Sequence, residues 1–352
     1  MDQKHVKSQT AAVRDFGGCP SALDGRNILV TGATGSFGRA FIQTLLADSS
    51  PRRLVVFSRD EMKQYEMEAD LQRSGLNTGP VRFFLGDVRD QSRLELAMNG
   101  IDLVIHAAAL KHVPAAEYNP FECIHTNVIG AENVVRASLR AGVRDVLALS
   151  TDKASAPINL YGASKLASDK IFIAANNLSG AQGCRFSVVR YGNVMGSRGS
   201  VVPFFRRLLA EGADRLPITD KRMTRFWITI QQGVSFVISC ASSMIGGELF
   251  VPKIPSIRVI DLAEAIAPDL KHEVVGIRPG EKLHESMITE GDARTTIELA
   301  DRYVMVPAFR FSSEARQSHY DGKSVDESFR YSSEHNTEWL DVGQLRTLLH
   351  QL

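Results

Sequence analysis

The chain has 352 residues and a mass of 38.7 kDa, which is enough for one large domain or two coupled domains. Hydrophobic residues make up 44% and charged residues 23%, a composition that excludes global disorder. The charges of the 41 basic and 40 acidic residues nearly cancel, which excludes an overall electrostatic field that would attract nucleic acid or an anionic membrane. The four cysteines form no CxxC pair, no apolar run approaches the roughly 18 residues of a membrane span, and the start lacks a secretory signal, so we expect a cytoplasmic protein.

Strands and helices are predicted to alternate over the first half of the chain. Residues 1–25 are polar and contain helix-breaking glycine and proline, so we expect a loosely held extension there. Short apolar segments predict six strands, at 26–32, 53–58, 81–87, 101–109, 143–151 and 185–193. Apolar residues at helical spacing predict five helices, at 38–47, 60–75, 92–100, 119–142 and 161–180. Wholly apolar strands separated by helices indicate an α/β fold with a doubly wound parallel sheet of the Rossmann type.

The alternation loosens after about residue 195, which predicts a change of domain. We expect residues 26–195, with parts of 225–260, to form a nucleotide-binding domain. Residues 196–352 are predicted to form mostly a smaller substrate-binding domain over the carboxyl edge of the sheet. Within it, residues 310–338 are rich in Ser, Arg and Glu and are expected to form a surface arm.

The first predicted strand ends in the glycine-rich sequence TGATGSFG. Gly32 permits a tight turn, Gly35 lets the backbone approach a pyrophosphate at a helix N-terminus, and Gly38 lets helix and strand pack closely. A glycine pattern alone is weak evidence, but here it opens a series of alternating strands and helices. We therefore predict that a dinucleotide binds against Gly32, Thr34, Gly35, Ser36, Phe37 and Gly38.

Residues at the end of the second strand indicate which dinucleotide binds. Sites selective for NAD usually place an acid there, against the ribose hydroxyls. Here Arg59, with help from Ser58 and Lys63, would hold a 2′-phosphate, which favours NADP. Asp60 keeps NAD open as the alternative, and Arg59 and Lys63 would otherwise be solvated charges at the start of a helix.

Further cofactor contacts are predicted at the ends of later strands. The carboxylate of Asp87 would meet the adenine amino group, with Val88 beside it. Val194, after the sixth strand, belongs to the same predicted set. The nicotinamide ribose would lie near the backbone of three small residues, Ala107, Ala108 and Ala109.

A catalytic motif follows the fifth strand, in the order Thr151, Asp152, Lys153, Tyr161 and Lys165. Because Tyr161 and Lys165 are four residues apart, a helix would present them on one face. A nearby cation lowers the pKa of a phenol from about 10, which would make Tyr161 a usable base. Thr151 would join the hydrogen bonding. YxxxK often occurs by chance or for packing, but after a glycine-rich nucleotide turn and a strand-end Ser/Thr it predicts chemistry.

These residues resemble the extended short-chain dehydrogenase/reductase family. A closer resemblance covers almost the whole chain. It is to the soluble UDP-N-acetylglucosamine 4,6-dehydratases of the inverting, pseudaminic acid type. The segments that carry it are HAAALKHVPAAEYNP, STDKASAPINLYGASK, RYGNVMGSRGSVVPFF, MTRFWIT, FVPKIPS and RPGEKLHE. The specific sign is the pair Asp152-Lys153, because dehydratases of dTDP-glucose and GDP-mannose carry Asp-Glu there and 4-epimerases carry neither pair. The membrane-bound relatives often have Met where this chain has Tyr161.

The resemblance implies a redox-neutral cycle on a tightly bound, recycled NADP. Hydride would leave carbon 4 of the sugar while Tyr161 takes the hydroxyl proton, Lys153 would remove the carbon 5 proton, and Asp152 would protonate the departing carbon 6 hydroxyl. Hydride would return to carbon 6, and reprotonation on the opposite face would invert carbon 5. Direct contact between Asp152 and Lys153 would move both pKa values the wrong way, so we predict that the two side chains point to different parts of the sugar.

The same resemblance implies a set of substrate-binding residues. Arg225 and Arg278 would hold the diphosphate, because a guanidinium matches phosphate oxygens, and Glu281 would take the uridine ribose. Lys111 and Asn193 would contact the sugar or the diphosphate. Each would otherwise be a surface or core residue, and Arg198 is expected to be solvated or interfacial. The remaining predicted contacts, mainly at the uracil end, are Val201, Val202, Thr219 and Met223.

Partners and competing functions complete the sequence-based expectations. Helices 119–142 and 161–180 are where this family pairs subunits, so a homo-oligomer, a dimer or a hexamer, is expected. The histidines have no metal-ligand spacing, and we expect no metal site. The alternatives are an epimerase or dehydratase acting on another nucleotide sugar, and a non-catalytic NADP-binding sensor.

Overall fold

The computed structural model describes residues 14–180, 183–307 and 319–351. Its strands in chain order are β1 (Asn27–Thr31), β2 (Arg53–Ser58), β3 (Val81–Leu85), β4 (Leu103–His106), β5 (Asp145–Thr151), β6 (Arg185–Tyr191), β7 (Asn193–Val194), β8 (Arg215–Ile218), β9 (Thr224–Ile228), β10 (Leu249–Pro252), β11 (Ser256–Arg258), β12 (Lys271–Val274), β13 (Ser286–Ile288), β14 (Thr296–Glu298), β15 (Arg302–Met305), β16 (Lys323–Ser324) and β17 (Tyr331–Ser332).

The α-helices in chain order are α1 (Ser36–Asp48), α2 (Glu61–Arg73), α3 (Gln91–Met98), α4 (Val113–Tyr118), α5 (Pro120–Ile124), α6 (Gly130–Ala141), α7 (Leu160–Ala175), α8 (Val201–Ala210), α9 (Ile230–Ser243), α10 (Val259–Ile266), α11 (Glu290–Ala293) and α12 (Val342–Leu349). Short 3₁₀ turns lie at Pro20–Leu23 and Asp152–Ala154. No helix in the described ranges combines the length and the apolar character that a membrane span requires.

One large sheet organises the molecule, with the strand order β16-β14-β15-β10-β6-β5-β4-β1-β2-β3. The strands from β10 to β3 run parallel, whereas β15, β14 and β16 extend the sheet antiparallel. The predicted α/β fold with a parallel sheet is therefore confirmed. The six predicted strands all form, and each begins or ends within three residues of its expected position.

Burial on both faces explains why these strands lack alternation. In β1 the last four residues are fully buried, and helix α1 covers one face of the sheet with Phe41, Ile42 and Leu45. A parallel sheet covered on both sides requires such continuous apolar runs. Because the strands are parallel, their carboxyl ends meet at one edge, where the connecting loops can assemble a site.

The predicted long helix 119–142 is interrupted by a π-helical turn at His125–Ile129 between α5 and α6. The turn buries Asn127, whose side chain accepts a hydrogen bond from the Leu110 backbone N–H at 2.8 Å and donates to the Leu110 carbonyl at 2.9 Å. The same amide donates to Ser164 Oγ at 2.9 Å. This irregular turn therefore fastens the loop after β4 to helix α7, at the edge where the site lies.

Residues 14–25 are packed against the body of the protein, contrary to the predicted loose extension. Phe16 is only 2% exposed, and its ring lies 4.9 Å from the ring of Phe236 in α9. The Arg302 guanidinium donates to the Phe16 carbonyl, and the Gln232 side chain donates to the Arg14 carbonyl. The polar composition hid this contact because only a few apolar residues, chiefly Phe16 and Leu23, anchor the segment. Residues 1–13 lie outside the described part.

The expected surface arm at 310–338 is found only in part within the described residues 319–338, because 321–330 are mostly exposed whereas 331–333 are buried. Tyr331 is buried in β17, and its hydroxyl both donates to the Ile254 carbonyl and accepts from the Ile254 N–H. Ser333 is fully buried beside it. This segment returns to the body of the protein because β17 pairs with β13. The rest of the C-terminal region is divided between the antiparallel end of the sheet and a smaller apolar core that α10 and α12 share.

Candidate active site

A cleft of about 740 Å³ lies at the carboxyl edge of the parallel strands. All the residues predicted from the glycine-rich turn and the catalytic motif line it. The same lining contains the other predicted cofactor contacts and two of the predicted substrate contacts, namely Ser58, Arg59, Asp60, Lys63, Asp87, Val88, Ala107, Ala108, Ala109, Val194, Lys111 and Asn193.

The glycine-rich turn requires glycine at two positions. Gly32 has a φ of +64°, and a Cβ there would stand 2.8 Å from the backbone of Ala108. A Cβ at Gly38 would lie 2.5 Å from the Cα of Ala33, so a larger residue would push α1 away from the strand. Helix α1 begins at Ser36 and presents its N-terminus to the cleft, and this arrangement suits the pyrophosphate of a dinucleotide.

The end of β2 carries charged side chains that already pair with one another. Asp60 caps α2 by accepting from the Lys63 backbone N–H at 3.0 Å, and its carboxylate lies 2.6 Å from the Lys63 ammonium. The Arg59 guanidinium lies 3.6 Å from the Asp87 carboxylate, and its side chain is 58% exposed. The Ser58 hydroxyl accepts from the Gln64 side chain at 3.1 Å. Of the two cations here, Lys63 is closely paired with Asp60, whereas Arg59 is exposed and only loosely paired with Asp87.

Arg198 is exposed, as expected, but it also reaches across the glycine-rich turn. Its guanidinium donates to the Thr34 carbonyl at 2.7 Å, and its backbone N–H donates to Ser36 Oγ at 3.2 Å. The pKa of Lys111 is lowered, first by partial desolvation in the cleft and then by the charge of Arg198. Two neighbouring cations beside a helix N-terminus favour an anion between them. The missed signal is the position of Arg198 between two glycines, Gly196 and Gly199, which let the loop fold back.

The catalytic turn starts where β5 ends. The Thr151 hydroxyl accepts from the Lys153 backbone N–H at 3.3 Å and donates to Asp152 Oδ1 at 2.9 Å. Lys153 Nζ donates to the same Asp152 oxygen at 3.0 Å. The prediction that Asp152 and Lys153 point to different places is therefore wrong for this structure, because the tight 3₁₀ turn folds the two adjacent side chains together.

Helix α7 brings Tyr161 to the same turn. Asn159 caps the helix by accepting from the Gly162 N–H at 2.7 Å, and a Cβ at Gly162 would stand 2.2 Å from the Lys153 carbonyl, so glycine permits the close approach. Burial raises the pKa of the Tyr161 phenol to about 12, while the charge of Lys153 and a hydrogen bond with Thr151 act in the opposite direction. The cation that chiefly opposes the effect of burial is thus Lys153, whereas the sequence had assigned this part to Lys165.

Lys165 is buried, and burial lowers the pKa of its ammonium, with Asp169 partly offsetting the effect. Asp169 is held by hydrogen bonds from the Ser150 hydroxyl at 2.8 Å and from the Arg190 guanidinium at 3.2 Å. His106 lies nearby in β4, and burial, followed by the charge of Lys165, lowers its pKa to about 3. The floor of the cleft is therefore a rigid polar network beneath the Tyr-Lys pair.

Lys153 has a second carboxylate partner, Glu285, which the sequence analysis did not single out. Glu285 Oε1 lies 3.4 Å from Lys153 Nζ, and the side chain is 2% exposed. Burial lowers the pKa of Lys153, but the charges of Asp152 and Glu285 outweigh it and leave the pKa raised. The available signal was the last residue of RPGEKLHE, a motif that supplied two other candidates.

Seven predicted substrate residues do not line the cleft. Arg225 is buried, and its guanidinium donates to the backbone carbonyls of Thr224, Lys282 and Leu283, so it fastens a loop and does not face a diphosphate. Arg278 is exposed and lies 3.6 Å from Glu281. Of the uracil-end candidates, Val201 and Val202 pack into the smaller cores through α8, and Met223 is buried. The seven are Val201, Val202, Thr219, Met223, Arg225, Arg278 and Glu281.

Comparison with known proteins places this chain in a family. A family model described as "Polysaccharide biosynthesis protein" matches residues 28–307. The chain belongs to this family. The matched range spans the whole parallel sheet and the first two antiparallel strands, so it includes the cleft and the catalytic turn.

This family member is similar to named enzymes over nearly its full length. The UDP-N-acetylglucosamine 4,6-dehydratase (inverting) of Campylobacter jejuni strain 81-176 is 51% identical, covering 93% of this chain and 98% of that protein. A UDP-glucose 4-epimerase of Rickettsia conorii is 38% identical, covering 92% and 95%. The X-ray structure of Pen from Bacillus thuringiensis superposes with a TM-score of 0.83 at 32% identity, covering 94% of this chain and 98% of that one. The resemblance inferred from the motifs is confirmed.

Within this family member, the cleft joins two chemically different halves. One half offers a helix N-terminus with Arg198 and Lys111, which suits an anion. The other half brings Tyr161 together with Asp152 and Lys153, which hydrogen-bond to each other, and this arrangement suits proton transfer between adjacent positions of a substrate. Over the described ranges, no group of three or more His, Cys, Asp or Glu side chains is arranged to hold a metal ion.

Proposed function

We propose that this protein is a UDP-N-acetylglucosamine 4,6-dehydratase that inverts carbon 5 and forms UDP-2-acetamido-2,6-dideoxy-β-L-arabino-hex-4-ulose for surface glycan synthesis of the pseudaminic acid type. The observation that carries the proposal is the Asp152-Lys153 pair, which lies in one cleft with Tyr161 and Lys165. The named function of the 51% identical relative supports it. An acid, a base and a phenol side by side match the three proton movements that dehydration of a 4-keto sugar requires.

Each residue has a defined part in the proposed reaction. A nicotinamide dinucleotide bound in the cleft would take hydride from carbon 4 and return it to carbon 6. Tyr161 accepts the carbon 4 hydroxyl proton, with Thr151 orienting the phenol. Lys153 then removes the acidified carbon 5 proton, and Asp152 gives a proton to the carbon 6 hydroxyl as it leaves as water. When hydride returns to carbon 6, a proton must reach the opposite face of carbon 5, which completes the product and inverts that carbon. Lys165, buried beneath Tyr161, holds the cofactor ribose.

The contact between Asp152 and Lys153 is compatible with these parts. As an ion pair the two groups hold the wrong forms, because the base is protonated and the acid is ionised. One proton moving from Lys153 Nζ to Asp152 Oδ1 over their 3.0 Å hydrogen bond gives a neutral amine and a neutral carboxyl without changing the charge of the site. Removing water from the cleft favours that neutral pair, since a low dielectric disfavours separated charges.

We infer that the dinucleotide is NADP, held at the ribose by Arg59. The guanidinium is exposed and loosely paired with Asp87, so it is free to turn toward a 2′-phosphate. Replacing Arg59 with Ala should weaken NADP binding about tenfold or more and leave NAD binding nearly unchanged, as measured by calorimetry on cofactor-free protein. Arg73→Ala, at an exposed cation at the end of helix α2, which follows Arg59, is the control. Tighter binding of NAD than of NADP by the wild-type protein would contradict the assignment.

The substrate contacts proposed within the cleft are Lys111 and Asn193. Asn193 Oδ1 is buried without a hydrogen-bond partner among the described residues, so a bound hydroxyl or amide would satisfy it. Arg278 and Glu281 remain candidates beside the cleft, because Asn159 at the start of α7 donates to the carbonyl of Gly280 between them. We further propose that residues 26–195 hold the cofactor and that residues 196–352 supply most of the sugar-nucleotide contacts.

The decisive experiment incubates the purified protein with UDP-N-acetylglucosamine and follows product mass and carbon 5 stereochemistry by NMR. A product that has lost one water and is inverted at carbon 5 supports the proposal. An unchanged mass with altered carbon 4 configuration would establish the alternative, a 4-epimerase. Cofactor binding with no turnover of any UDP-, dTDP- or GDP-hexose would establish a sensor. Light scattering of the same sample tests the proposed homo-oligomer. A measured mass equal to that of a monomer would contradict it.

A further inference from the structure

Glu285 is a buried carboxylate that the proposed chemistry has not used. It lies just before β13, and its Oε1 approaches Lys153 Nζ to 3.4 Å. Its other oxygen, Oε2, lies 3.7 Å from the ammonium of Lys282 and has no hydrogen-bond partner within the described residues. A buried ionised group needs compensating charge, so its placement between two lysines calls for a reason beyond packing.

The backbone holds Glu285 firmly in this place. Its N–H donates to Ser333 Oγ at 2.9 Å, and its carbonyl accepts from the Ser333 N–H at 2.7 Å. Lys282, three residues earlier, donates to the Ser155 carbonyl at 2.6 Å, and Ser155 ends the turn that carries Asp152 and Lys153. The segment 282–285 is therefore attached to the catalytic turn both through the backbone of Ser155 and through the side chain of Lys153.

The charged groups form an alternating series. Asp152 pairs with Lys153, Lys153 lies near Glu285, and Glu285 lies near Lys282, so two negative and two positive charges cancel. When the Lys153 proton moves to Asp152, Glu285 and Lys282 remain a balanced pair. The titratable and charged groups that act on Lys153 are Asp152, Glu285, Arg225, Tyr161 and Lys282.

We propose that Glu285 is a positioning residue that holds the Lys153 amine toward carbon 5 of the sugar and keeps the buried site neutral while Lys153 and Asp152 exchange a proton. This inference rests on the proposed function, because it assigns Lys153 as the base. In the exchange an N–H bond of Lys153 breaks, its electron pair stays on nitrogen, and an O–H bond forms on Asp152. Glu285 keeps its negative charge beside Lys153 in both states and is neither consumed nor protonated.

A substrate-free experiment tests the contact directly. The side chain of Lys153 is 25% exposed, so brief pulses of acetic anhydride at pH 8 can label it, with the extent read by peptide mass spectrometry. Removing one neighbouring carboxylate lowers the pKa of a lysine by about one unit or more, so Glu285→Gln should label Lys153 about tenfold faster. Glu273→Gln, an exposed carboxylate on β12, should leave the rate unchanged. Lys165 in the same cleft is the internal reference, because general loosening would speed both lysines.

Kinetics with the sugar nucleotide tests the positioning. In Glu285→Gln we expect kcat to fall about 10²-fold with KM nearly unchanged, because a misplaced base lowers the rate without weakening binding. Deuterium exchange at carbon 5 should fall by the same factor, while reduction of the bound cofactor by the sugar continues. The acid limb of the kcat–pH profile should move to lower pH. Glu285→Asp, which keeps the charge on a shorter arm, should recover part of kcat and restore the wild-type limb.

Two results would overturn the proposal. The first is an unchanged or slower labelling of Lys153 in Glu285→Gln. This result would count against the proposal whether or not the protein is a dehydratase. The second is a loss of cofactor reduction equal to the loss of carbon 5 exchange, with an unshifted pH limb, because that pattern marks a purely structural role. If the wild-type protein dehydrates no nucleotide sugar, the proposed function fails, and the labelling experiment still decides whether Glu285 controls the charge of Lys153.

Discussion

The glycine-rich turn at residues 32–38 lines the cleft, whereas the segment 278–285 reaches it through the contact of Glu285 with Lys153, and the two regions are built in different ways. In the turn, the backbone itself is the binding element, and each glycine answers a local steric demand, such as the 2.5 Å approach of a Cβ at Gly38 to Ala33. In the segment, side chains make the contacts with the site, and residues distant in sequence hold them in place. Ser333, for example, hydrogen-bonds both the N–H and the carbonyl of Glu285.

This difference determines how a site reveals itself in a sequence. A demand that a residue makes on its near neighbours leaves a short motif with fixed spacing. A residue held by a partner far along the chain leaves no such motif, because nothing near it in sequence records the contact. Substitutions in these two kinds of region should therefore affect binding, turnover and stability differently. The following predictions, from the largest effect to the smallest, test that contrast.

Lys153→Ala should abolish dehydration and leave the glycine-rich side intact. A general base typically contributes 10²- to 10⁴-fold to a rate, so we expect turnover to fall by about that factor. Binding of the dinucleotide should remain, because Lys153 does not touch the glycine-rich turn. Product mass and cofactor content measure the two effects, with Lys170→Ala on the exposed face of α7 as the matched control. Joint loss of both properties would show that the two sides are not separable.

Phe16→Ala tests the long-range side of the comparison. Truncating a buried Phe typically lowers the free energy of unfolding by about 3–5 kcal/mol, because the cavity cannot fully collapse. Phe16 packs on Phe236, and its carbonyl accepts from Arg302, so we expect a loss in this range, measured by urea unfolding. Phe121→Ala, at a side chain 77% exposed, should change stability by less than about 0.5 kcal/mol. Equal effects would restore the picture of a loose extension.

Gly32→Ala tests the local side. The φ of +64° costs an L-residue about 1–2 kcal/mol, and the contact at 2.8 Å with the Ala108 backbone adds about 1–3 kcal/mol of overpacking. Gly75→Ala separates the two causes, because Gly75 has a φ of +74° and nothing within 4 Å of its Cβ. We expect Gly32→Ala to lower the melting temperature more than Gly75→Ala and to lose dinucleotide binding as well. Similar melting temperatures would mean that the contact with Ala108 relaxes easily.

The effect expected to be smallest at neutral pH, and to grow only as the pH falls, is the contribution of His106 to pH dependence. Burial lowers its pKa from 6.5 to about 3, so the unfolded chain takes up a proton below pH 6.5 that the folded chain does not. Its contribution to stability is therefore complete above pH 6.5 and is lost, by up to about 1.4 kcal/mol per pH unit, as the pH falls toward 3. The slope should shrink in His106→Gln and persist in His350→Gln, an exposed control. An unchanged slope in His106→Gln would mean that other groups cause it.

The catalytic turn lies between these two extremes. Its residues were predicted correctly as lining residues because Thr151, Tyr161 and Lys165 sit at fixed positions along a strand and a helix. Their mutual contacts were not predicted. The 3₁₀ turn brings Lys153 into contact with Asp152. It also makes Lys153, and not Lys165, the lysine whose charge lowers the pKa of the Tyr161 phenol. Spacing specifies which face a side chain occupies, but only the path of the backbone decides which side chains touch.

By itself, the sequence determined the parallel sheet, the glycine-rich turn and part of the cleft lining, because apolar runs, helical spacing and glycine are demands that act over a few residues. Only the tertiary structure decided that Arg198 crosses the turn, that Arg225 faces backbone carbonyls, and that Glu285 approaches Lys153. These contacts join residues 57 to 164 positions apart, from Arg225 with Lys282 to Arg198 with Thr34. Burial and charge compensation select them in the folded chain, and neither can be read from neighbours in sequence.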